Sequence, residues 1–276
     1  MYLKYVAGNK LKHALNYGQL ILKQNKKPII NFISENNNNN NNINIYNEYI
    51  NLIENIDNKY KIAIKLSSFD FDKNYINTII NKCYQKNINV IIDAEQNFNN
   101  NKYNELTNEF IFKYNKNTPI IYKTYQLYRK DSLQRLIDDN MIMQKNNIIL
   151  ATKLVRGAYW NSENHTGELY TIKQDTDNNY NKTIQYCYNN NIQHNIIASH
   201  NKQSINNALH YNKNNIFKIA HLMGMNNQYI NFINNNNNNN NKIDILTYIP
   251  YGPYREMFPY LIRRLYENID TIKYMI

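Results

Sequence analysis

The sequence predicts an α/β protein built as one (β/α)8 barrel, and three observations support that prediction. Eight short apolar runs rich in β-branched residues follow one another along the chain. Most of the stretches between them have the length and mixed polarity of a helix with its loops. Polar side chains collect where the runs stop, at the end where such barrels carry their active sites.

The strand candidates are residues 28–33, 61–66, 90–94, 119–125, 148–155, 196–199, 217–222 and 243–249. A helix is expected over residues 74–85, where Ile76, Ile79, Ile80 and Cys83 share one face. Repeated strand-then-helix units predict a parallel sheet, and eight units predict its closure into a barrel.

The N-terminal residues 1–27 are basic and contain no Asp or Glu, which also suits a transit peptide. They contain no Arg or Ser either, which argues against such a leader. We favour a first helix whose buried stripe would be Leu11, Ala14, Leu15, Leu20 and Leu22.

Length and composition indicate a single domain over residues 1–276, with no apolar run near the roughly 20 residues of a membrane span. The Asn tracts at 36–42 and 234–241 are expected to be solvated, low-complexity loop insertions, because a polar run buries too little apolar surface to offset its ordering entropy. Cys83 and Cys187 lack CxxC spacing, which favours a reducing compartment.

Several functional classes are disfavoured by the sequence. The net charge of +11 comes with scattered lysines and no nucleic-acid-binding motif, so we expect no nucleic-acid partner. HExxH and other metal spacings are absent, so no metal site is expected. The sequence also lacks GxSxG, GxGxxG and GxxxxGK[ST], which disfavours a serine nucleophile, a Rossmann site and a Walker loop.

Polar residues stand at or just past six of the predicted strand ends. Each one alone is an ordinary strand-end residue, but together they predict a site at one mouth of the barrel. They are Lys65, Asp93, Gln126, Arg156, His200 and, at the eighth strand, Tyr248 and Tyr251.

Two segments carry the most specific chemistry. In the helix expected after Gly252 and Pro253, one face presents Tyr260, Arg263, Arg264 and Glu267. Paired guanidinium groups suit a small molecule's carboxylate, although a solvated face with an i, i+4 ion pair is the alternative. Around the fifth strand, the cations Lys153 and Arg156 stand close to the small residues Gly157 and Ala158. Small residues let the backbone approach a ligand closely, and the cations next to them suit a phosphate or a ring system.

These segments resemble those of the monofunctional, FAD-dependent proline dehydrogenases, and they occur in that family's order. The main matches are Lys-Leu-Val-Arg-Gly-Ala-Tyr at 153–159, Ala-Ser-His-Asn at 198–201, and Tyr-Gly-Pro at 251–253 running into Tyr-Leu-Ile-Arg-Arg at 260–264. Weaker matches lie at 5–8, 64–67, 93–96, 125–128 and 221–225. Together they extend over nearly the whole chain.

The resemblance implies a distorted barrel whose last helix lies over the C-terminal mouth. It implies catalytic roles for Asp93 and Lys153. The implied substrate-binding residues are Lys65, Tyr248, Tyr260, Arg263, Arg264 and Glu267. The implied FAD-binding residues are Ala94, Gln126, Arg156, Gly157, Ala158, Tyr159, Thr171, Lys173, Ser199 and His200.

The implied reaction is oxidation of L-proline to pyrroline-5-carboxylate, with FAD as cofactor and a quinone-type electron acceptor. A methylenetetrahydrofolate reductase-like flavin barrel and a catalytically idle ligand-binding relative are the alternatives. A cytoplasmic location is expected, with the mitochondrial matrix and peripheral contact with the inner membrane as the alternative.

Overall fold

The structure is a computed structural model that describes residues 4–34, 42–96, 100–212, 215–236 and 243–267. Within those ranges, eight parallel strands form a closed barrel in which each strand pairs with its sequence neighbours and β8 pairs with β1. The predicted fold class is therefore confirmed. The strands are β1 (Lys27–Phe32), β2 (Lys61–Ile64), β3 (Asn89–Ile92), β4 (Ile121–Gln126), β5 (Ala151–Val155), β6 (His194–Ala198), β7 (Phe217–Leu222) and β8 (Ile245–Tyr251).

Helices alternate with these strands and form the outer layer. They are α1 (Leu11–Lys23), α2 (Asn42–Glu54), α3 (Lys73–Gln85), α4 (Asn100–Tyr114), α5 (Ser132–Lys145), α6 (Trp160–Glu163), α7 (Lys173–Asn189), α8 (Lys202–Tyr211), α9 (Asn227–Asn235) and α10 (Tyr254–Glu267). Short 3-10 turns follow β2 at Leu66–Phe69 and α6 at Asn164–Thr166. None of the helices in the described ranges has both the length and the apolar character needed to cross a bilayer.

The barrel interior is filled by one residue from each strand plus Tyr248, because successive strand residues point to opposite faces. These residues are Ile29, Ala63, Ile91, Tyr122, Ala151, Ile196, Ala220, Leu246 and Tyr248. The odd and even positions of each strand can therefore be assigned to the interior or to the helix layer.

Helix α1 covers the seam of the barrel, since it packs on both β1 and β8. Its buried residues are Leu11, Ala14, Gly18 and Ile21, spaced three and four apart. Leu20 was wrongly predicted to belong to this stripe: it is 52% exposed, because it lies on the opposite side of the helix.

Helix α10 starts at the C-terminal rim, three residues after β8 ends. Its Met257 is buried against Val6 and Ile33, and Ile33 directly follows β1. Helix α1 already covers the outside of the barrel between β8 and β1. The last helix therefore packs on the rim of the barrel and not on its outer wall.

Strand positions agree with the sequence prediction, but several ends shift by one to three residues. Residues 148–150 precede β5, where the backbone N–H of Ile149 donates to the carbonyl of Asn115 at 2.9 Å. The Asn tracts were predicted as loops throughout, yet Asn42 begins α2, and Asn234 and Asn235 end α9. Neighbouring Ile residues bury one face of those helices and extend the helical segment into the tracts. Residues 36–41 and 237–241 lie outside the described residues.

Candidate active site at the C-terminal mouth

Three predicted residues, two on strands and one directly after a strand, meet inside the C-terminal mouth. The Lys153 ammonium on β5 lies 2.6 Å from Oδ1 of Asp93, which directly follows β3. The Tyr248 hydroxyl on β8 donates to the other carboxylate oxygen of Asp93. The Lys153 ammonium also lies 4.8 Å from the centroid of the Tyr248 ring. We call Asp93, Lys153 and Tyr248 the central triad.

The local structure explains why these side chains converge. Ala151 faces the interior, so Lys153, two residues further along β5, faces the same way. Tyr248 pairs in register with Ile29 and Leu222, which fixes its height in the barrel. The backbone N–H of Asp93 donates to the Ile64 carbonyl at 2.9 Å, which holds Asp93 on the end of β2.

The ion pair of the triad is largely withdrawn from solvent, with 8% of the Lys153 side chain and 16% of the Asp93 side chain exposed. A charge pair at this depth interacts more strongly than one on the surface. Asp93 thus holds the cation in place and orients the Tyr248 hydroxyl, while Lys153 supplies positive charge at the mouth.

Arg156, the residue after β5, is clamped by groups from three other elements. Its Nε donates to Asp177 of α7 at 2.7 Å, and its two terminal nitrogens donate to Ser199 at 2.6 Å and Ser204 at 3.0 Å. The guanidinium carbon lies 4.6 Å from the ring centroid of Tyr180. Arg156 therefore presents a rigid cation at the rim and fixes Ser199 beside it.

Gly157 lets the chain pass very close to an aromatic ring. Its φ is +135°, and a Cβ at this position would lie 1.8 Å from Cδ1 of Tyr128. The Tyr128 hydroxyl donates to buried Glu163 at 2.8 Å, so this ring is anchored at its far end. A side chain at residue 157 would be both sterically excluded and strained.

Glu95 links the loops that follow β2 and β3. It accepts hydrogen bonds from the backbone N–H of Ser67 at 3.0 Å and from the Ser67 hydroxyl. Gln126, the last residue of β4, donates to the Glu95 carbonyl at 2.9 Å. Burial raises the pKa of Glu95, and the bonds from Ser67 and the charge of Lys65 oppose that rise. Lys65 therefore stands in a loop whose position Glu95 fixes.

His200, two residues past β6, accepts a hydrogen bond at Nε2 from the backbone N–H of Leu222, with an N···N distance of 3.2 Å. The carbonyl of His200 accepts from the Asn226 side chain at 3.4 Å. Since Nε2 accepts, a neutral His200 carries its proton on Nδ1.

The other predicted flavin contacts lie around this core. Ala94, Ala158 and Tyr159 are half-buried at the same mouth. Thr171 and Lys173 are exposed at the rim, where the Lys173 ammonium lies 3.6 Å from Asp177.

Tyr251, the remaining strand-end residue in the prediction, does not join the site. It is buried in the helix layer with its ring centroid 5.3 Å from that of Phe32, and its hydroxyl donates to Glu48 at 3.0 Å. The alternation along β8 explains the difference, because Tyr248 and Tyr251 stand three residues apart and face opposite sides.

The side chains predicted to form the clamp lie outside the described residues. The backbone of α10 is described to Glu267, but the side chains of Tyr260, Arg263, Arg264 and Glu267 are not. Their roles remain predictions. Among the described residues, no group of three His, Cys, Asp or Glu side chains is arranged to hold a metal ion.

Comparisons with known proteins identify the family of this chain. The family model for proline dehydrogenase matches residues 18–275. The chain belongs to the proline dehydrogenase family.

Relatives of this family member include "Proline dehydrogenase 1, mitochondrial" of Dictyostelium discoideum, 32% identical over 216 residues, which cover 71% of this chain and 37% of the relative. The human protein of the same name is 27% identical over 218 residues, covering 72% of this chain and 35% of the relative. The chain thus spans a little over a third of the length of these relatives.

Among solved structures, proline utilization A from Bdellovibrio bacteriovorus, inactivated by N-propargylglycine, superposes with a TM-score of 0.86. The identity is 20%, and the match covers 97% of this chain and 32% of the other. At that identity the superposition supports the barrel fold alone.

Three residues that position the site were not predicted from the sequence. Asp177 and Ser204 hold Arg156 but lie on helices far along the chain, in no recognisable motif. Glu95 stands two residues after Asp93, within the segment at 93–96 that resembles the family. Its position in that segment was the one sequence feature that could have indicated a role at the site.

Proposed function

We propose that this protein is an FAD-dependent proline dehydrogenase that oxidises L-proline to pyrroline-5-carboxylate. The observation that carries the proposal is the central triad, a buried Lys153–Asp93 ion pair with Tyr248 at the C-terminal mouth of a closed barrel. Membership of the proline dehydrogenase family supports the choice of substrate. The catalytic roles of Asp93 and Lys153 are part of the proposal.

The residues at the mouth suit a flavin. Gly157 lets the backbone that follows Arg156 pack directly against the Tyr128 ring, which fixes the position of this loop at the mouth. Arg156 and Ser199 are held in fixed positions next to it, and His200 follows Ser199. We propose that these residues hold FAD together with Ala94, Gln126, Ala158, Tyr159, Thr171 and Lys173.

When bound, FAD would supply the hydride acceptor that no amino-acid side chain provides. Proline would give up two electrons and one hydrogen from C5 as a hydride, while its ring nitrogen releases a proton. Lys153 would place a positive charge where negative charge develops, in a position that Asp93 already fixes. Tyr248 would form one wall of the substrate pocket, and Lys65 would lie near the substrate.

We propose that Arg263 and Arg264 bind the proline carboxylate, with Tyr260 shaping the pocket and Glu267 supporting the helix. The start of α10 on the rim supports this, because Met257 fixes the helix beside Ile33. Two planar guanidinium forks match a carboxylate better than ammonium groups do.

The acceptor, the compartment and the domain organisation belong to the same proposal. We propose a quinone-type acceptor reached by peripheral membrane contact. A mitochondrial location is preferred over the cytoplasm because the similar proteins from Dictyostelium discoideum and human carry that word in their names. We further propose that residues 1–276 form one domain in which the Asn tracts are insertions.

The visible spectrum of the purified protein tests the proposed function. Protein loaded with FAD should show oxidised flavin that bleaches on anaerobic addition of L-proline and stays unchanged with a nicotinamide donor. Bleaching only with the nicotinamide donor would instead favour the reductase-like alternative. Protein that takes up no FAD would favour the ligand-binding alternative.

The clamp predicts the kinetics of two variants. Arg263→Ala and Arg264→Ala should each raise the KM for proline by about 10- to 150-fold, because a charged hydrogen bond contributes about 1.5–3 kcal/mol. Arg255→Ala is the matched control, since Arg255 is exposed and lies more than two turns earlier on the same helix. Steady-state kinetics decide, and unchanged KM in both clamp variants would remove the clamp.

A further inference from the structure

The N-terminal mouth of the barrel, opposite the candidate active site, collects lysines inside the barrel. Ile29, Ala63 and Ala220 face the interior, so the residues two positions before them face it as well. These residues are Lys27 on β1, Lys61 on β2 and Lys218 on β7. His194 on β6 and Asp244, just before β8, reach the same mouth by the same alternation. We call these five residues the basic cluster.

Two of the lysines flank one aromatic ring. The Lys61 ammonium lies 5.8 Å and the Lys218 ammonium 5.4 Å from the ring centroid of Tyr122. Lys218 donates to the Tyr122 hydroxyl at 3.0 Å, and Lys61 donates to the side-chain carbonyl of Asn89. Both partners are neutral, so they satisfy hydrogen bonds without balancing charge.

Asp244, the carboxylate of the basic cluster, already forms an ion pair with Lys27. Asp244 lies 2.7 Å from the Lys27 ammonium. Within the described part of this mouth, no second carboxylate forms an ion pair with Lys61 or Lys218. Lys61 is only 4% exposed, so water compensates its charge poorly.

The electrostatic consequence is visible in two titrating groups. Burial, together with the charges of Lys218 and Lys27, lowers the pKa of Lys61 to about 7, and the charge of Asp244 opposes this shift only in part. Burial and the charges of Lys218 and Lys61 lower the pKa of His194 to about 4. The mouth therefore keeps a net positive potential beyond what Asp244 balances, and an anion would relieve it.

We propose that the N-terminal mouth of the barrel binds a small divalent oxyanion between the ammonium groups of Lys61 and Lys218. The geometry supports such a site because both ammonium groups lie within 6 Å of the centroid of one ring, that of Tyr122, at the same mouth of the barrel. Charge-assisted hydrogen bonds from two ammonium groups would replace the neutral contacts they make now. This site is separate from the central triad and independent of the proposed function.

Anion binding is linked to protonation of Lys61. Near neutral pH part of the Lys61 population is uncharged, and a bound dianion favours the charged form. Binding should therefore draw protons from the buffer, which a merely nonspecific attraction to exposed lysines would not do at this pH.

Calorimetric titration with sodium sulfate at pH 7.5 and constant ionic strength tests the proposal, with sulfate chosen because it does not titrate there. Saturable binding is expected, and its heat should differ between two buffers of different ionisation enthalpy because protons are taken up. Lys61→Met and Lys218→Met should each weaken the sulfate Kd at least about tenfold. Lys116→Met, an exposed lysine in the loop before β4, is the control and should leave the Kd within about twofold.

The Lys61→Met variant should fold, because replacing a buried charge with an apolar chain of similar length is often neutral or stabilising. If it does not fold, half-buried Lys218 provides the decisive variant. Absence of saturable sulfate binding would overturn the proposal, as would equal binding by wild type and both variants. A Lys61→Met protein with a raised Tm, and a wild type unresponsive to sulfate, would instead assign Lys61 as a buried neutral amine.

Discussion

The single carboxylate of Asp93 holds two other residues of the site, the Lys153 ammonium and the Tyr248 hydroxyl. A carboxylate can accept at two oxygens at once and balances the lysine charge, whereas an amide can only accept at one. The identity of residue 93 therefore matters for charge as well as for shape.

Asp93→Asn should lower kcat/KM for proline by about 100-fold, the order expected when preorganised charge at a reacting centre is lost. FAD content should change little, because Arg156 and Gly157 keep their contacts. Asp138→Asn, an exposed aspartate on α5, is the matched control and should retain wild-type kinetics. An active Asp93→Asn enzyme would contradict the proposed role of the carboxylate.

Gly157 offers a second comparison at the scale of single residues. Gly157→Ala should reduce the free energy of unfolding by at least about 2 kcal/mol, since the new Cβ clashes with Tyr128 and φ is positive. Gly167→Ala, where φ is +75° and no atom lies within 4 Å of the new Cβ, should lose only about 1 kcal/mol from backbone strain. Urea denaturation measures the free energy of unfolding of both variants. Equal losses would show that the clash with the Tyr128 ring does not contribute.

Between β4 and its helices lies a buried polar network that the sequence did not reveal. Lys123 points outward from β4 and donates to Asp139 of α5 at 2.6 Å and to Asn108 of α4 at 2.9 Å. The Tyr125 hydroxyl donates to the same carboxylate at 2.6 Å. The side chains of Lys123 and Asp139 are 1% and 9% exposed. Burial lowers the pKa of Lys123, and Asp139 opposes that shift.

Asp139→Leu should destabilise the protein by about 3–5 kcal/mol, because it leaves the Lys123 charge buried without its counterion. The double variant Lys123→Met with Asp139→Leu should recover much of that loss, since both charges are gone. Asp138→Asn, at the neighbouring position, is again the control. Its free energy of unfolding should stay within about 0.5 kcal/mol of wild type. A double variant no more stable than Asp139→Leu would show that the cost comes from packing.

The sequence could predict features that depend on neighbouring residues, but not contacts between residues far apart in the chain. Strand and helix positions follow from local periodicity, so residues 217–222 were placed as in the structure. Strand-end reasoning and the family resemblance together brought Asp93, Lys153 and Tyr248 to one mouth. The contact of Asp177 with Arg156 joins separate elements and has no local sequence pattern, so it follows only from the three-dimensional fold.

The basic cluster illustrates the same limit for the whole molecule. Lys27, Lys61 and Lys218 are far apart in sequence and were interpreted as part of a scattered, Lys-rich composition. Closure of the barrel brings the first residues of β1 and β2 and the second residue of β7 to one mouth, because parallel strands all start at the same end. Composition alone gives net charge but not its location.

The stability of the whole barrel should depend on pH through its buried histidine. Burial, aided by the charge of His200, lowers the pKa of His221 to about 3, compared with about 6.5 in the unfolded chain. Between these values the unfolded state binds more protons, so stability rises with pH and is lost on acidification. His194, with a pKa lowered to about 4, adds to the same trend.

Urea unfolding at pH 7.5 and pH 5.0 measures this effect. Wild type should lose on the order of 2 kcal/mol through His221 across that interval, and His221→Gln should lose correspondingly less. His165→Gln, at an exposed histidine, is the control and should keep the wild-type difference. An undiminished loss in His221→Gln would assign the acid sensitivity to other groups.

The pairing of β1 with β8 extends over six residue pairs, from Lys27 with Leu246 to Phe32 with Tyr251. During synthesis, the first strand therefore leaves the ribosome long before its partner exists. Until Tyr251 emerges, the nascent sheet has two open edges, each able to pair with another chain. Biosynthesis of this protein should accordingly depend on chaperones that shield those edges, and translation arrested before the last strand should yield aggregates instead of a smaller folded product.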